Sequence, residues 1–186
     1  MNSSVNSAEM IRAYGLANVV FFPRYEVGPS VDTRAVGLLS SVGLPHSVSF
    51  SSRMDPTDPY DTSFDPVALG GFFGHYGIPC PEECRTWWKL GTLFTSIVAL
   101  DPESGKVYGF PEGSWERVLL HRDVESLLFS LIEFRRIEDS HENEDEDPED
   151  LAERFRQVVS EFDSTPFENE ESQWNVILEE LESGIW

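Results

Sequence analysis

Cysteine is scarce in this chain: Cys80 and Cys84 are the only two among 186 residues. Two thiols cannot build a disulfide framework. The spacing Cys-Pro-Glu-Glu-Cys, with His75 five residues upstream, leaves a structural zinc site without an apparent fourth ligand. Reduced, partly buried thiols are therefore expected. Positive charge is also in short supply. Lys and Arg number 13 against 34 Asp and Glu, for a formal net charge of -21. Such a chain repels nucleic acid and anionic membrane, whose binding needs basic side chains. Long apolar runs are missing as well. Asn18–Phe22 and Ser96–Leu100 are far too short to span a bilayer. The start, MNSSVNSAEM, lacks a basic stretch leading into an apolar one, so no signal peptide is read and a cytoplasmic location is expected.

What is present fits a globular protein. Hydrophobic residues make up 40% and aromatics 12%, and the length suits one domain spanning residues 1–186 with a substantial core. Ser7-Ala-Glu-Met predicts a short helix with Ile11 and Tyr14 on one face and Gly15 at its stop. Val19–Phe22 reads as a buried strand ended by Pro23. Asp32 caps a second helix, with Ala35, Leu38, Leu39 and Val42 as its stripe, Gly43 just past its end and Pro45 blocking continuation. From Ser51 to Cys84, prolines and glycines predict irregular loops with at most a short strand. Thr92–Leu100 then reads as a strand, Asp101–Gly105 as a turn and Lys106–Phe110 as the returning strand. Glu116–Leu120 is a third short strand.

The last part of the chain reads as helical. Asp123 caps a helix over 123–137 whose core face is Leu127, Leu128, Leu131 and Phe134. Asp147, Pro148, Glu149 and Asp150 suit the start of the next helix. Its stripe is Leu151, Phe155, Val158, Val159 and Phe162. A final helix carries Trp174, Ile177, Leu178 and Leu181, and Gly184 closes it.

Between the first two of these helices, nine of the thirteen residues from Glu138 to Asp150 are carboxylates, and none is Lys or Arg. Two readings stand for the segment at about 138–147. It is a solvated linker between helices, or it is a surface for a basic protein, whose encounter an acidic field accelerates. The second reading takes Glu138, Asp139, Glu142, Glu144, Asp145 and Glu146 as contacts, with Trp87 as an apolar anchor. Trp87, Trp88 and Trp115 all lie around the β region, and Trp is enriched at interface anchors; Trp88 and Trp115 are equally candidates for the core.

Motifs of catalysis are absent from the sequence. Gly70-Gly-Phe-Phe-Gly-His-Tyr-Gly lacks the Lys-Ser or Lys-Thr of a phosphate loop, and reads as a turn with packed aromatics. His46, His75, His121 and His141 have no metal spacing, and no Ser sits in a Gly-x-Ser-x-Gly elbow. Asp55, Asp58, Asp61 and Asp65 form a loose cluster that would serve a metal-dependent enzyme, but it lacks the ligand order and central glycine of a calcium loop. No catalytic, metal-binding or cofactor-binding residue is assigned, and no cofactor is expected.

Four segments, in order, resemble the fourth subfamily of SUKH immunity proteins. Leu38-Leu-Ser-Ser-Val-Gly-Leu-Pro45 is similar to a helix ending in a Val-Gly-Leu-Pro turn near that family's start. Ile97-Val-Ala-Leu-Asp-Pro-Glu-Ser-Gly-Lys-Val-Tyr108 resembles its hairpin. Glu116–Leu120 with the helix over 123–137 matches its next step. Trp174-Asn-Val-Ile-Leu-Glu-Glu-Leu-Glu-Ser-Gly184 looks like its closing helix. His121-Arg-Asp123 replaces the Asn-Ser-Ser-like helix start of the family, with the capping role kept. The resemblance implies an α+β fold, a central β-sheet flanked by N-terminal and C-terminal helices. It also implies a non-catalytic immunity protein that neutralises a bacterial polymorphic or contact-dependent toxin. With the acidity of the chain, the expected partner is a basic toxin such as a nuclease, with no direct nucleic acid or membrane binding. An interaction or scaffold protein of the same fold with another basic partner is the alternative.

Overall fold

The computed structural model describes residues 5–23, 31–52, 67–114, 116–143 and 146–185. Among these residues, six α-helices and two antiparallel sheets give a mixed α+β architecture. Helix α1 (Ser7–Tyr14) starts where the Asn6 side chain accepts from Glu9 N and stops at Gly15, whose φ is 81°. Strand β1 is only Val19–Val20 and pairs with β2 (Leu44–Pro45). The expected strand through Phe22 is cut short because Phe22 N turns to donate to Leu39 O of helix α2 (Thr33–Ser41). Asp32 caps α2 through Arg34 N as expected. Gly43, at φ 79°, takes the chain into β2 so closely that a Cβ there would stand 2.8 Å from Val20 O.

The main sheet is a meander in which every strand pairs with its sequence neighbour. Its order is β3 (Phe50–Ser52), β4 (Trp88–Leu93), β5 (Ser96–Leu100), β6 (Val107–Phe110) and β7 (Val118–His121). The single strand expected over Thr92–Leu100 is two strands joined by a tight hairpin, with Leu93 opposite Ser96. Phe94 makes this turn at φ 51°, the one positive φ outside glycine among the described residues. Neither Phe94 nor Thr95 carries the Gly or Asn signal that usually marks a two-residue turn. The expected turn at Asp101–Gly105 forms: the Asp101 side chain accepts from Glu103 N at 3.0 Å, and Gly105 N donates to Asp101 O.

The segment Leu69–His75, expected as an aromatic turn, is helix α3. Three glycines would ordinarily oppose it. Packing overrides propensity here: Leu69 and Phe73 are buried, and Leu69 N and Gly70 N donate to Trp87 O and Arg85 O. A Cβ on Gly70 would meet Arg85 at 3.1 Å, so glycine lets the two segments touch.

Two cores result. Leu90, Val98, Leu100, Val107 and Leu120 of the sheet pack with the helices α1, α2, α4 (Val124–Glu142), α5 (Pro148–Phe162) and α6 (Gln173–Glu182). A smaller cluster of Leu69, Phe73, Cys84, Trp87, Ala99 and Phe110 joins α3 to the sheet. Helix α4 is the central element. Tyr14 Oη donates to Leu131 O at 2.6 Å from α1, and Arg34 of α2 pairs with the buried Glu125. The stripe of α6 (Trp174, Ile177, Leu178 and Leu181) is fully buried, as its spacing predicts.

Candidate partner-binding surface

Helix α4 runs five residues past the end expected from its apolar stripe, through Glu142. The linker read at about 138–147 therefore begins as helix. Arg135 explains the extension. Its guanidinium lies 3.2 Å from Glu138, 2.6 Å from Asp139 and 3.7 Å from Glu142, so the carboxylates have a counter-charge at i+3, i+4 and i+7 on one face. Asn143 then closes the helix by donating from its side chain to Asp139 O.

The acidic side chains meet different fates. Glu138 is buried, and burial raises its carboxyl pKa, with the Ser49 hydroxyl and Arg135 pulling the other way. Asp139 and Glu142 are exposed, at 52% and 67% of their side chains. Glu146 is ion-paired with Arg154 across the start of α5. Glu144 and Asp145 lie outside the described residues, as do Trp115 and the Asp55–Asp65 cluster. Trp87 is not an exposed anchor. It is a core residue, 7% exposed, stacked on Tyr108 with ring centres 4.5 Å apart and with Arg117 over its ring. Just before β4, Trp87 O accepts from Leu69 N and its ring fills the space beside Phe110 in the smaller core.

Glu138 and Glu142 also wall a groove of about 580 Å³ that no sequence motif announces. Tyr14, Val48 and Phe94 reach it from α1, from the loop before β3 and from the hairpin turn. Burial pushes the Tyr14 phenol well above its ordinary pKa, so it stays a neutral donor to α4. Val48 is a lone apolar residue between two serines, with no periodicity to mark it. Phe94 is hidden in what reads as a continuous strand.

A Ser, His and Asp do come together elsewhere, but as a structural link. Trp174 Nε1 can only donate, and it lies 2.9 Å from His121 Nε2. The proton of the neutral ring is therefore on Nδ1, which donates to Ser126 Oγ at 2.9 Å. That hydroxyl donates in turn to Asp163 Oδ2 at 2.5 Å. His121 and Ser126 have no exposed surface, so no substrate reaches them, and the hydroxyl proton is directed to the carboxylate, away from the imidazole. Burial lowers the His121 pKa to about 3. Burial would raise that of Asp163, but hydrogen bonds from Ser126, Thr165 and Arg122 N outweigh it and hold the group low.

Among the described residues, no three His, Cys, Asp or Glu side chains are grouped to hold a metal ion. Cys84 is buried and Cys80 partly so, both as free thiols, and burial raises the pKa of each. No helix among the described residues is long and apolar enough to cross a membrane.

Comparison with curated proteins and with solved structures gives no match. The family model described as SUKH-4 immunity protein matches residues 5–180, from the turn before α1 into α6. With that match covering nearly the whole chain, the protein belongs to the SUKH-4 immunity protein family.

Proposed function

We propose that the protein neutralises a cognate bacterial toxin by stoichiometric binding in the cytoplasm, and that the toxin is a nuclease with a basic cleft. Family membership over residues 5–180 is the observation that carries the immunity role. The basic character of the target is inferred from charge. A formal net charge of -21 favours a cationic surface, and a nuclease must hold phosphates with such a surface. An acidic face then competes with nucleic acid for the cleft, and long-range attraction speeds the encounter. The exposed Asp139 and Glu142 at the end of α4 and Glu146 before α5 are proposed contacts, together with Glu144 and Asp145. Glu138 supports them from the interior by holding Arg135.

The test is co-expression with the product of the neighbouring gene. The expected result is rescue of growth, a one-to-one complex and loss of nuclease activity in the purified toxin. A neighbouring toxin that is neither bound nor inhibited overturns the proposal.

A further inference from the structure

The groove at the end of α4 has a composition that selects its occupant. Val48 stands at it with 99% of its surface exposed. The loop that presents it is tied down: Ser47 N donates to Phe50 O at 2.8 Å, and Phe50 N donates to Ser47 Oγ at 3.1 Å. A fully exposed valine on a hydrogen-bonded loop offers fixed apolar surface. Phe94 adds more, with its ring set edge-to-face on the buried Phe134 at 6.0 Å. Beside this apolar surface, Arg135, His46 and His141 line the groove with Glu138 and Glu142. Arg135 is shared among Glu138, Asp139 and Glu142, and it holds the exposed Glu142 only loosely, at 3.7 Å.

Apolar walls next to a loosely held carboxylate match a side chain with an aliphatic stem and a cationic head. Arginine fits best, since its planar fork pairs with carboxylates and it is enriched at interface centres. A second copy of the chain is disfavoured by the repulsion between two molecules that each carry a net -21. We infer that the groove receives an arginine side chain of the partner protein, its stem against Val48 and Phe94 and its guanidinium at the exposed Glu142. The inference rests on the reading of the protein as the binder of a basic toxin.

The test has two arms. In the first, the isotope-labelled full chain is titrated with N-acetyl-arginine amide and with its uncharged mimic, N-acetyl-citrulline amide. Saturable shifts at the amides of Val48, Phe94 and Glu142 are expected with the arginine probe. Affinity for the citrulline probe should be at least ~tenfold weaker. Val48→Lys and Glu142→Gln should each abolish the arginine response, and both positions are exposed enough for the variants to fold. Equal response to both probes, shifts centred elsewhere, or no saturation at tens of millimolar overturns the inference. In the second arm, the neighbouring gene product is bound to wild type and to Val48→Lys. A probe that seats in the groove while that product is not bound sustains the groove and removes the toxin reading. A toxin held equally well by Val48→Lys sustains the toxin reading and removes the groove.

Discussion

Trp174 Nε1 donates to His121 Nε2 at 2.9 Å, and neither side chain has any exposed surface. This bond ties α6 to the last strand of the sheet. Through Ser126 and Asp163 the same chain of donors reaches the start of α4 and the segment after α5. Trp174→Phe keeps most of the ring volume and leaves Nε2 without a donor. A loss of about 1–3 kcal/mol is expected in urea denaturation, with toxin binding retained. Wild-type stability would show that the bond contributes nothing net.

The same network sets an acid limit. The folded His121 has a pKa of about 3, well below the ordinary value near 6.5 of an unfolded chain. The unfolded state therefore binds more protons between those values. The contribution of this group is constant above about pH 6.5 and is lost as pH falls, by roughly 2 kcal/mol between pH 7.5 and pH 5. Asp163, held low, acts in the same direction further down: its contribution is present above its unfolded pKa and lost as pH falls through its folded one. The raised pKa of Glu138 acts oppositely, since protonation relieves the cost of its burial. Imidazole resonances of His121 should stay neutral down to pH 5 by NMR. A mid-point near 6.5 would contradict the assignment.

Gly43→Ala should destabilise the fold by on the order of 1–3 kcal/mol. The backbone there is left-handed, and the new methyl would meet Val19 Cγ1 and Val20 O, each at 2.8 Å. The comparison is Gly71→Ala, in open space at an ordinary φ within α3, which should be neutral or slightly stabilising. Thermal melting of the two variants side by side decides it.

Replacing Glu142, Glu144, Asp145 and Glu146 with Gln or Asn should slow association with the toxin and weaken its salt dependence, as read by stopped-flow at several ionic strengths. Stability should change by less than about 1 kcal/mol. The ion pair lost with Glu146 is partly exposed on both sides, at 40% and 37%. Unchanged association at low salt would assign the run to a structural connection.

Several elements are legible from spacing because local chemistry and burial agree there. Asp32, Asp123 and Asp147 each accept from a first-turn amide as expected, and the stripe of α6 is fully buried. The misreadings fall where tertiary contacts overrule local preference. Helix α3 exists because Leu69 and Phe73 find a core and Gly70 an abutting backbone. The hairpin at Phe94 turns without glycine. The end of α4 depends on Arg135, whose pairing with three acids is visible only once the helix is drawn through them. The groove was not legible at all. It is assembled from α1, the loop before β3, the hairpin and α4, which sequence does not bring together.

Helix α4 holds Ser126 at one end and Glu142 at the other, roughly 24 Å apart at the helical rise per residue. The buried hydrogen-bonded network and the groove proposed to meet a target are thus placed at opposite poles of one rod. Changes at sites so far apart add without interfering. With the groove as the proposed toxin contact, a lineage can rewrite its lip to follow a changing adversary while its folding free energy stays where it was.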